Sequence, residues 1–489
     1  MDVRTFLLDL IRVKFGFMAC FHYIFVPLTL GLIVSIACME TVFVCTRAKA
    51  WEIAARFWFR LFLLGWVVGV VTGYPLRGQL MSDWGNYSAY VKPMLDHIVP
   101  VETAIGPAML VGVVAVAALG SRLNPPARMA IVWGLVALMM CQAVTILSMN
   151  AWMQHPTREL FLNPMVISKV THVLSAALVC ASTLICSVSI IYLYRGRHLP
   201  VARVSLRTGL LLGALSSMAV VVTGHLSVEH VARYQPMKFA AFEGLWAEEQ
   251  GPAGWVAFAI PDSLSQTNRL EIKVPYLMSA LTGHGLSGSP PGIREVLAGE
   301  RERIQRAVRD THGLPDLVGY RALYAQEKGH AGEPLSDHEL IQRAAAHTIP
   351  NVPVLFAGFR LMAMIGLVML AAFAVGIAFR ERLQYERRHW LPPVVLGLLP
   401  LPWLATFAGW IVAEMGRQPW AVYGYLPTLQ GAQLPTLAQG VWEAVGIVSA
   451  YVLLAVTFLL VALRLIWLGP TPRAPATIAG ELTALTSPA

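Results

Sequence analysis

Residues 17–45 read FMACFHYIFVPLTLGLIVSIACMETVFVC, a long and mostly apolar stretch. A helix needs about 20 mostly apolar residues to cross the hydrocarbon core of a bilayer. The stretch exceeds that length, with His22 near its start and Glu40 near its end. It therefore predicts a membrane-spanning helix.

Eight further stretches of similar character follow along the chain. They cover roughly residues 57–76, 98–119, 129–150, 170–194, 207–225, 353–379, 392–416 and 438–468. The whole chain of 489 residues is 56% hydrophobic and only 13% charged, which leaves too little polar surface to solvate a globular protein. We therefore predict an all-α fold, a polytopic integral membrane protein with nine transmembrane helices.

The chain divides into four segments on this basis. Residues 1–225 hold the first six transmembrane helices, and residues 353–469 hold the last three. Residues 226–352 form a long loop between them, with a surface-helix pattern in Ile293, Val296, Leu297, Ile304 and Val308. Residues 470–489 are rich in proline and predict a disordered tail.

Basic residues in the short connections predict the orientation. One set of connections holds Arg47, Lys49, Arg56, Arg122, Arg128, Arg195, Arg197, Arg203, Arg207, Arg380, Arg382, Arg387 and Arg388. The alternate set holds only Arg77, Lys92, Arg158, Lys169 and Arg417. Because cytoplasmic connections carry the excess of Lys and Arg, the first set is predicted to be cytoplasmic. The N-terminus and the 226–352 loop are then extracytoplasmic, and the C-terminus is cytoplasmic.

The same pattern explains the net charge of +9, because the arginines cluster in short links and not in a stripe that would bind nucleic acid. No nucleic acid partner is expected. The six cysteines lie in or beside apolar runs without a CxxC pattern, which favours buried thiols over disulfides or zinc ligands. The first residues lack a cleavage-site pattern, so we expect the first span to remain in the mature protein.

Residues able to bind a metal or a charged group fall near the extracytoplasmic ends of these segments. They are His22, Glu102, His172, Met362, Glu414 and Arg417. Ionisable groups are costly in a bilayer and mark functional sites by default. The plain alternatives are a structural histidine, a methionine that fills the core and a carboxylate that reaches the interface. A His and Met pair is one known way to hold a low-spin haem, and Arg360 could neutralise a haem propionate.

Several longer motifs accompany these residues. They are H-Y-I-F-V-P-L-T-L-G from His22, M-E-T-V from Met39, N-A-W-M-Q-H-P from Asn150, K-V-T-H from Lys169, Y-Q-P-M-K-F-A-A-F-E-G from Tyr234, A-I-P-D, T-N and V-P-Y within the loop, F-R-L-M from Phe359 and G-R-Q-P-W from Gly416. In these motifs, over almost its whole length, the chain resembles subunit I of the cytochrome bd quinol oxidases. Its loop resembles the long type of the family's quinol-binding loop, the Q-loop.

The resemblance implies three haem (heme) groups. His172 and Met362 would ligate a low-spin haem b, with Arg360 close by. A high-spin haem b and haem d would be served by the metal ligands His22, Glu102 and Glu414, without an individual assignment, and Glu102 and Glu414 would also be catalytic. Cofactor binding would further involve Arg417 and Trp410, and quinol binding would involve Lys238 and Glu243.

The implied activity is that of a terminal quinol:oxygen oxidoreductase in the bacterial inner membrane. Ubiquinol or menaquinol would be oxidised at the outer face, and O₂ would be reduced to water with cytoplasmic protons. This would generate a proton motive force without pumping. A second membrane subunit, subunit II, would complete the enzyme, together with a small accessory subunit in some forms.

The third predicted span departs from the family pattern. Leu110 and Val111 stand where a carboxylate and a serine are usual, and Arg77 stands where an acidic residue is usual. The missing carboxylate belongs to the proton route, so haem d occupancy and proton delivery stay open. We expect a carboxylate restored at position 110 to be buried without a partner. The alternatives are a bd-like paralogue with altered oxygen chemistry and a haem-free ion transporter.

Overall fold

The structure, a computed structural model, describes residues 3–249, 251–282, 288–310, 313–330, 335–379 and 387–470. Within these ranges, nine helices are long and apolar enough to cross a membrane, which confirms the predicted number. From residue 471 onward, the predicted disordered tail lies outside the described residues.

The elements follow in chain order. The first six spanning helices are α1 (Val3–Thr46), α2 (Lys49–Ser82), α3 (Gly85–Leu119), α4 (Pro125–Gln154), α5 (Pro164–Tyr194) and α6 (Leu199–Tyr234). The loop contains α7 (Pro236–Glu243), β1 (Trp255–Asp262), β2 (Thr267–Val274), α8 (Leu277–Leu281), α9 (Ile293–Arg309), α10 (Val318–His330) and α11 (Asp337–Ala346). The last part contains α12 (Val352–Ala378), α13 (Leu391–Leu398), α14 (Leu401–Met415), β3 (Trp420–Val422), β4 (Leu426–Pro427), α15 (Thr428–Gly431) and α16 (Leu437–Leu468). Helices α13 and α14 together make one span.

Local capping sets several helix starts. The side chains of Asn124, Asn163 and Asn351 accept hydrogen bonds from backbone N–H groups in the first turns of α4, α5 and α12. Each of these helices also has proline at one of its first positions, where the missing N–H costs nothing. The helices extend past the apolar stretches, and α6 runs to Tyr234, so the first residues of the predicted 226–352 loop are helical.

Helix α1 lies at the centre of the bundle and packs on α2, α4 and α5. A Cβ on Gly31 would lie 2.3 Å from the carbonyl oxygen of Ala177, so glycine permits the close approach of α1 and α5. Ile33, Phe62 and Ile185 are fully buried in the core between these helices. Helix α12 packs on α6 and α14.

A buried ion pair joins α1 and α4 at the end of the bundle opposite the loop. Arg128 donates to both carboxylate oxygens of Glu40, at 2.8 and 2.9 Å. Both side chains are almost fully buried. Such a pair fixes the relative position of two helices more than it adds net stability.

The loop is mostly helical and also contains a β-hairpin. The predicted surface helix is confirmed as α9, which buries Ile293, Leu297 and Ile304. Strands β1 and β2 pair in antiparallel fashion, which the sequence did not lead us to predict. Val256 on β1 packs on Phe356, so the hairpin lies against the first turns of α12.

The loop also contacts the turn that follows α14. Tyr320 on α10 packs edge-on against Trp420, with ring centroids 5.2 Å apart. Arg303 on α9 donates to the Tyr320 hydroxyl at 3.0 Å and pairs with the buried Glu300 at 3.1 Å. The segment around Arg417 is therefore held in place by the helices of the loop.

Candidate functional site

Seven polar side chains meet where the loop-side ends of α4, α5 and α14 approach α7. They are Asn150, Gln154, Lys169, Gln235, Lys238, Glu414 and Arg417, and we call them the Glu414 cluster. Four of the motifs that carry the family resemblance supply six of the seven residues, and Glu414 lies two residues before the last of these motifs. Segments far apart in the chain thus converge on one site.

Glu414 is the only carboxylate in this cluster. It accepts hydrogen bonds from the side-chain amides of Asn150 at 2.9 Å and Gln154 at 3.3 Å. Arg417, one turn further on, donates to its other carboxylate oxygen. Lys169 donates to the Asn150 side chain and so contributes a second positive charge nearby.

Lys238 enters the cluster from α7. Its ammonium group donates to the side-chain oxygen of Gln154 at 2.9 Å, to that of Gln235 at 3.2 Å and to the backbone carbonyl of Ala413 at 2.7 Å. Burial lowers the pKa of Lys238 well below its ordinary value, and the nearby charge of Lys169 lowers it further. A neutral amine is therefore accessible at this position.

The cluster has an excess of hydrogen-bond donors and, when its lysines are protonated, of positive charge. Lys169, Lys238 and Arg417 face a single carboxylate, Glu414. Among the described residues, the Nε atom of Arg417 and the side-chain nitrogen of Gln235 are buried without an acceptor. Buried donors are almost always satisfied in native proteins. The arrangement therefore suits an additional anionic group rich in oxygen, such as a carboxylate.

A second buried pair lies on the other side of α7. Arg360 donates to Glu243 at 2.7 Å and to the backbone carbonyl of Val256 at 2.8 Å, which ties α12 to α7 and β1. The guanidinium group also lies over the rings of Trp255 and Phe356, at 4.7 and 4.5 Å. Burial raises the pKa of Glu243, while the Arg360 charge acts in the opposite direction.

The structure does not bring Lys238 and Glu243 together. Five residues in a helix with about 3.6 residues per turn place the two side chains on different faces. Lys238 joins the Glu414 cluster, and Glu243 joins Arg360. Arg360, predicted beside a haem propionate, is thus engaged by a carboxylate of the loop.

The predicted low-spin ligands lie on helices that share two neighbours. His172 on α5 and Met362 on α12 are both half-buried, and both helices pack on α6 and α14. The His172 ring lies against Gly224 of α6, where a Cβ would come within 3.3 Å of it. The Met362 sulfur lies against Gly409 of α14, where a Cβ would come within 2.9 Å. Glycine on the neighbouring helix thus gives each side chain room.

His22 occupies a similar position between α1 and α2. Its Nδ1 atom lies 3.0 Å from the Thr72 hydroxyl, and a Cβ on Gly73 would come within 3.2 Å of its ring. The next residue, Tyr23, packs edge-on against Trp410 of α14, with ring centroids 5.1 Å apart. Trp410 therefore links the His22 region to the helix that carries Glu414.

The described contacts of Glu102 do not include a member of the Glu414 cluster. Its carboxylate pairs with Arg77 at 3.3 Å, and the Arg77 side chain is 56% exposed. Leu110 and Val111, further along α3, are 51% and 69% exposed. The expectation that position 110 is buried within this chain is therefore wrong, because this face of α3 points away from the bundle.

Sequence reasoning did not single out Asn150, Gln154, Lys169 or Gln235, although each stands inside a motif that carries the family resemblance. The sequence feature that could have indicated them is that they are polar residues at or near the ends of apolar spans. Apart from Gln235, which meets Lys238 three residues on, they have partners between 19 and 264 residues away, so sequence spacing gave no indication of most of the contacts.

Comparisons with known proteins identify the family. The family model described as cytochrome bd terminal oxidase subunit I matches residues 10–470. Cytochrome bd-II ubiquinol oxidase subunit 1 of Escherichia coli (strain K12) is 31% identical over 95% of this chain and 97% of its own. Cytochrome bd ubiquinol oxidase subunit 1 of Bacillus subtilis (strain 168) is 30% identical over 88% of this chain and 87% of its own. The solved structure of bd oxidase from Geobacillus thermodenitrificans has a TM-score of 0.79 at 21% identity and covers 95% of this chain and 99% of that chain.

Proposed function

Since the chain belongs to the cytochrome bd terminal oxidase subunit I family, we propose that it is the haem-bearing subunit of a terminal quinol oxidase. The enzyme would oxidise quinol at the side of the membrane that carries the loop and would reduce O₂ to water with protons from the cytoplasm. A second membrane subunit would complete it. The observation that carries this proposal is the Glu414 cluster, whose unpaired donors and surplus positive charge suit the propionates of a buried haem.

The residues present fit haem binding. The two histidines and Met362 offer a nitrogen or a sulfur as axial ligand, and each side chain lies in close contact with a glycine, where a Cβ would crowd it. In this proposal His172 and Met362 hold a low-spin haem b, while His22, Glu102 and Glu414 serve the high-spin haem b and haem d. Bound haem would supply one-electron transfer and the site of oxygen reduction. Arg417 and Lys169 would hold negative charge in place beside it.

The quinol would meet residues of α7. Glu243, with its raised pKa, is suited to accept a proton from a quinol hydroxyl. Lys238, with its lowered pKa, is suited to donate a hydrogen bond when charged and to accept a proton when neutral. Because the two side chains leave α7 on different faces, we propose that they act at separate points of quinol oxidation and do not clamp one hydroxyl. Protons released there would leave on the loop side.

The test is a spectrum and an oxygen-uptake assay on the purified complex. A reduced-minus-oxidised spectrum with haemochrome quantification should show a low-spin b-type haem and a high-spin component, and it decides between haem d and a second b-type haem. Quinol should drive oxygen uptake. A colourless complex would refute the proposal in favour of an ion transporter. Haem without quinol-dependent oxygen uptake would favour a paralogue with altered oxygen chemistry. The departures from the family pattern at Leu110 and Val111 are the reason to consider this alternative.

A further inference from the structure

A four-residue segment occurs twice in the chain, opposite two of the proposed haem ligands. Residues 70–73 and residues 221–224 both read V-V-T-G. The first copy lies on α2 and faces His22 of α1, and the second lies on α6 and faces His172 of α5. In both places the histidine belongs to one helix and the V-V-T-G segment to the next spanning helix in the chain.

The contacts of the two copies correspond atom by atom. The Thr72 hydroxyl lies 3.0 Å from Nδ1 of His22, and the Thr223 hydroxyl lies 3.2 Å from Nδ1 of His172. The glycine that follows lies against the ring, where an added Cβ would stand 3.2 Å from the Cε1 atom of His22 and 3.3 Å from that of His172. Two independent packing sites have thus reached the same arrangement.

The direction of each hydrogen bond follows from the threonine. A hydroxyl has one hydrogen to donate. Thr72 directs it to the backbone carbonyl of Val68 at 2.8 Å, and Thr223 directs it to that of Ala219 at 2.7 Å. Each threonine oxygen is therefore placed to accept from the histidine, whose Nδ1 atom then carries the hydrogen. The backbone carbonyls of Gly69 and Val220 also form hydrogen bonds with the two rings, and a carbonyl oxygen can only accept from a ring N–H.

A neutral imidazole with hydrogen on Nδ1 has its lone pair on Nε2. Iron binds a histidine through such a lone pair, and a hydrogen bond to the other nitrogen orients the ring and raises its basicity. We propose that Thr72 and Thr223 are positioning residues that hold His22 and His172 in the tautomer with Nε2 free for haem iron, while Gly73 and Gly224 admit the rings. This inference rests on the proposed function, since it concerns the same histidines.

The experiment uses the complete membrane complex with its haems. Thr223→Val removes the hydroxyl at nearly constant volume, and Thr223→Ser restores it. The readouts are the midpoint potential of the low-spin haem and its electron paramagnetic resonance spectrum. A ligand without its hydrogen bond is a weaker donor and stabilises the ferric state less. Thr223→Val should therefore raise the potential and shift the spectrum, and Thr223→Ser should behave like the unmodified protein.

Two comparisons separate positioning from general packing. Thr208→Val, on the same helix, removes a buried hydroxyl that donates to Val204 and has no described contact with a histidine, so it should leave both readouts unchanged. Thr72→Val should alter the high-spin signals and leave the low-spin signal alone. Equal low-spin readouts in Thr223→Val and Thr208→Val would overturn the proposal. So would a Thr223→Ser variant that resembles Thr223→Val.

If the proposed function itself is wrong, the spectra of the variants will differ from these outcomes. If His172→Ala keeps a normal low-spin signal, His172 is not an iron ligand and the assignment of the haem fails. If His172→Ala loses that signal while Thr223→Val leaves the potential and the spectrum unchanged, the haem assignment stands and only the role of the threonine is refuted.

Discussion

The ion pair between Glu243 and Arg360 gives the sharpest prediction. The two side chains are 4% and 9% exposed and meet at 2.7 Å. Removal of one partner of a buried pair costs about 3–5 kcal/mol, because the other charge remains buried without a counter-charge, whereas replacement of both by apolar residues is often nearly neutral. Glu243→Leu and Arg360→Met should therefore each destabilise the protein, and the double variant should lose much less than their sum.

The other contacts of Arg360 refine these magnitudes. In Glu243→Leu, the guanidinium group keeps its bond to Val256 and its contacts with the rings of Trp255 and Phe356. Since a cation–π contact is worth about 0.5–2 kcal/mol, we expect the cost of this variant near the lower end of the range. Arg360→Met leaves the carboxylate in a site without another described cation, and we expect a cost near the upper end.

The assay is thermal unfolding of the purified complex, with midpoints compared only within this series because a multi-subunit membrane protein need not unfold in two states. The control is the exposed pair of Lys92 and Asp96, 70% and 62% exposed, which should be worth about 0–1 kcal/mol. Single variants no less stable than Lys92→Ala would refute the reasoning. A double variant whose loss equals the sum of the two single losses would also refute it.

Further predictions concern the ligands, Lys238 and α3. His172→Ala and Met362→Leu should each abolish the low-spin haem spectrum and keep much of the high-spin signal. His22→Ala should instead remove the high-spin signal and oxygen uptake. Intact low-spin spectra in the first two variants would contradict the assignment. The pKa of Lys238 lies below the ordinary 10.5 in the folded protein, so over the window up to 10.5 the unfolded chain binds more protons and stability rises with pH. Lys238→Met should lose that rise in unfolding midpoints measured across pH, and an unchanged pH dependence would count against the shifted pKa. Leu110→Glu should lower the yield of assembled complex without altering the haem content per complex. The side chain at this position is 51% exposed in this chain, and a charge that faces lipid costs about 2.5–3.5 kcal/mol. Faster oxygen uptake by the variant would contradict this prediction.

The spanning helices were predictable because membrane insertion is decided locally, by the length and apolarity of one segment. The hairpin of β1 and β2 was not predictable from the sequence. Strand β1 contains register shifts around Phe258, which interrupt the regular alternation of a strand. Phe258 and Leu270 are 51% and 72% exposed, so apolar residues do not mark a buried face there. A sequence pattern that assumes buried apolar residues has no signal to detect in such a hairpin.

The sequence predicted some residues of the candidate site, but it predicted neither the other members of the Glu414 cluster nor the contacts between them. Motif resemblance pointed to Lys238, Glu243 and Glu414, but only the folded chain shows that Lys238 meets Gln154, 84 residues away, and that Glu243 meets Arg360, 117 residues away. Such pairings depend on how helices pack, which apolar composition alone does not specify. The V-V-T-G repeat was present in the sequence, but it acquires meaning only once each copy is seen opposite a histidine.

The departures in the third span are compatible with membership of the family because they avoid the packing of α3. Met109 and Val113 are the buried residues of this part of the helix, and Gly112 lies against α4, where a Cβ would stand 2.8 Å from Leu135. Leu110 and Val111 point away from these contacts. Arg77 offers Glu102 a counter-charge that an acidic residue would not supply. The substitutions therefore change the charge and polarity of one outward face and leave the helix in place. The residues that depart from the family pattern thus lie on the outward face of α3, and not in its packed interface with α4.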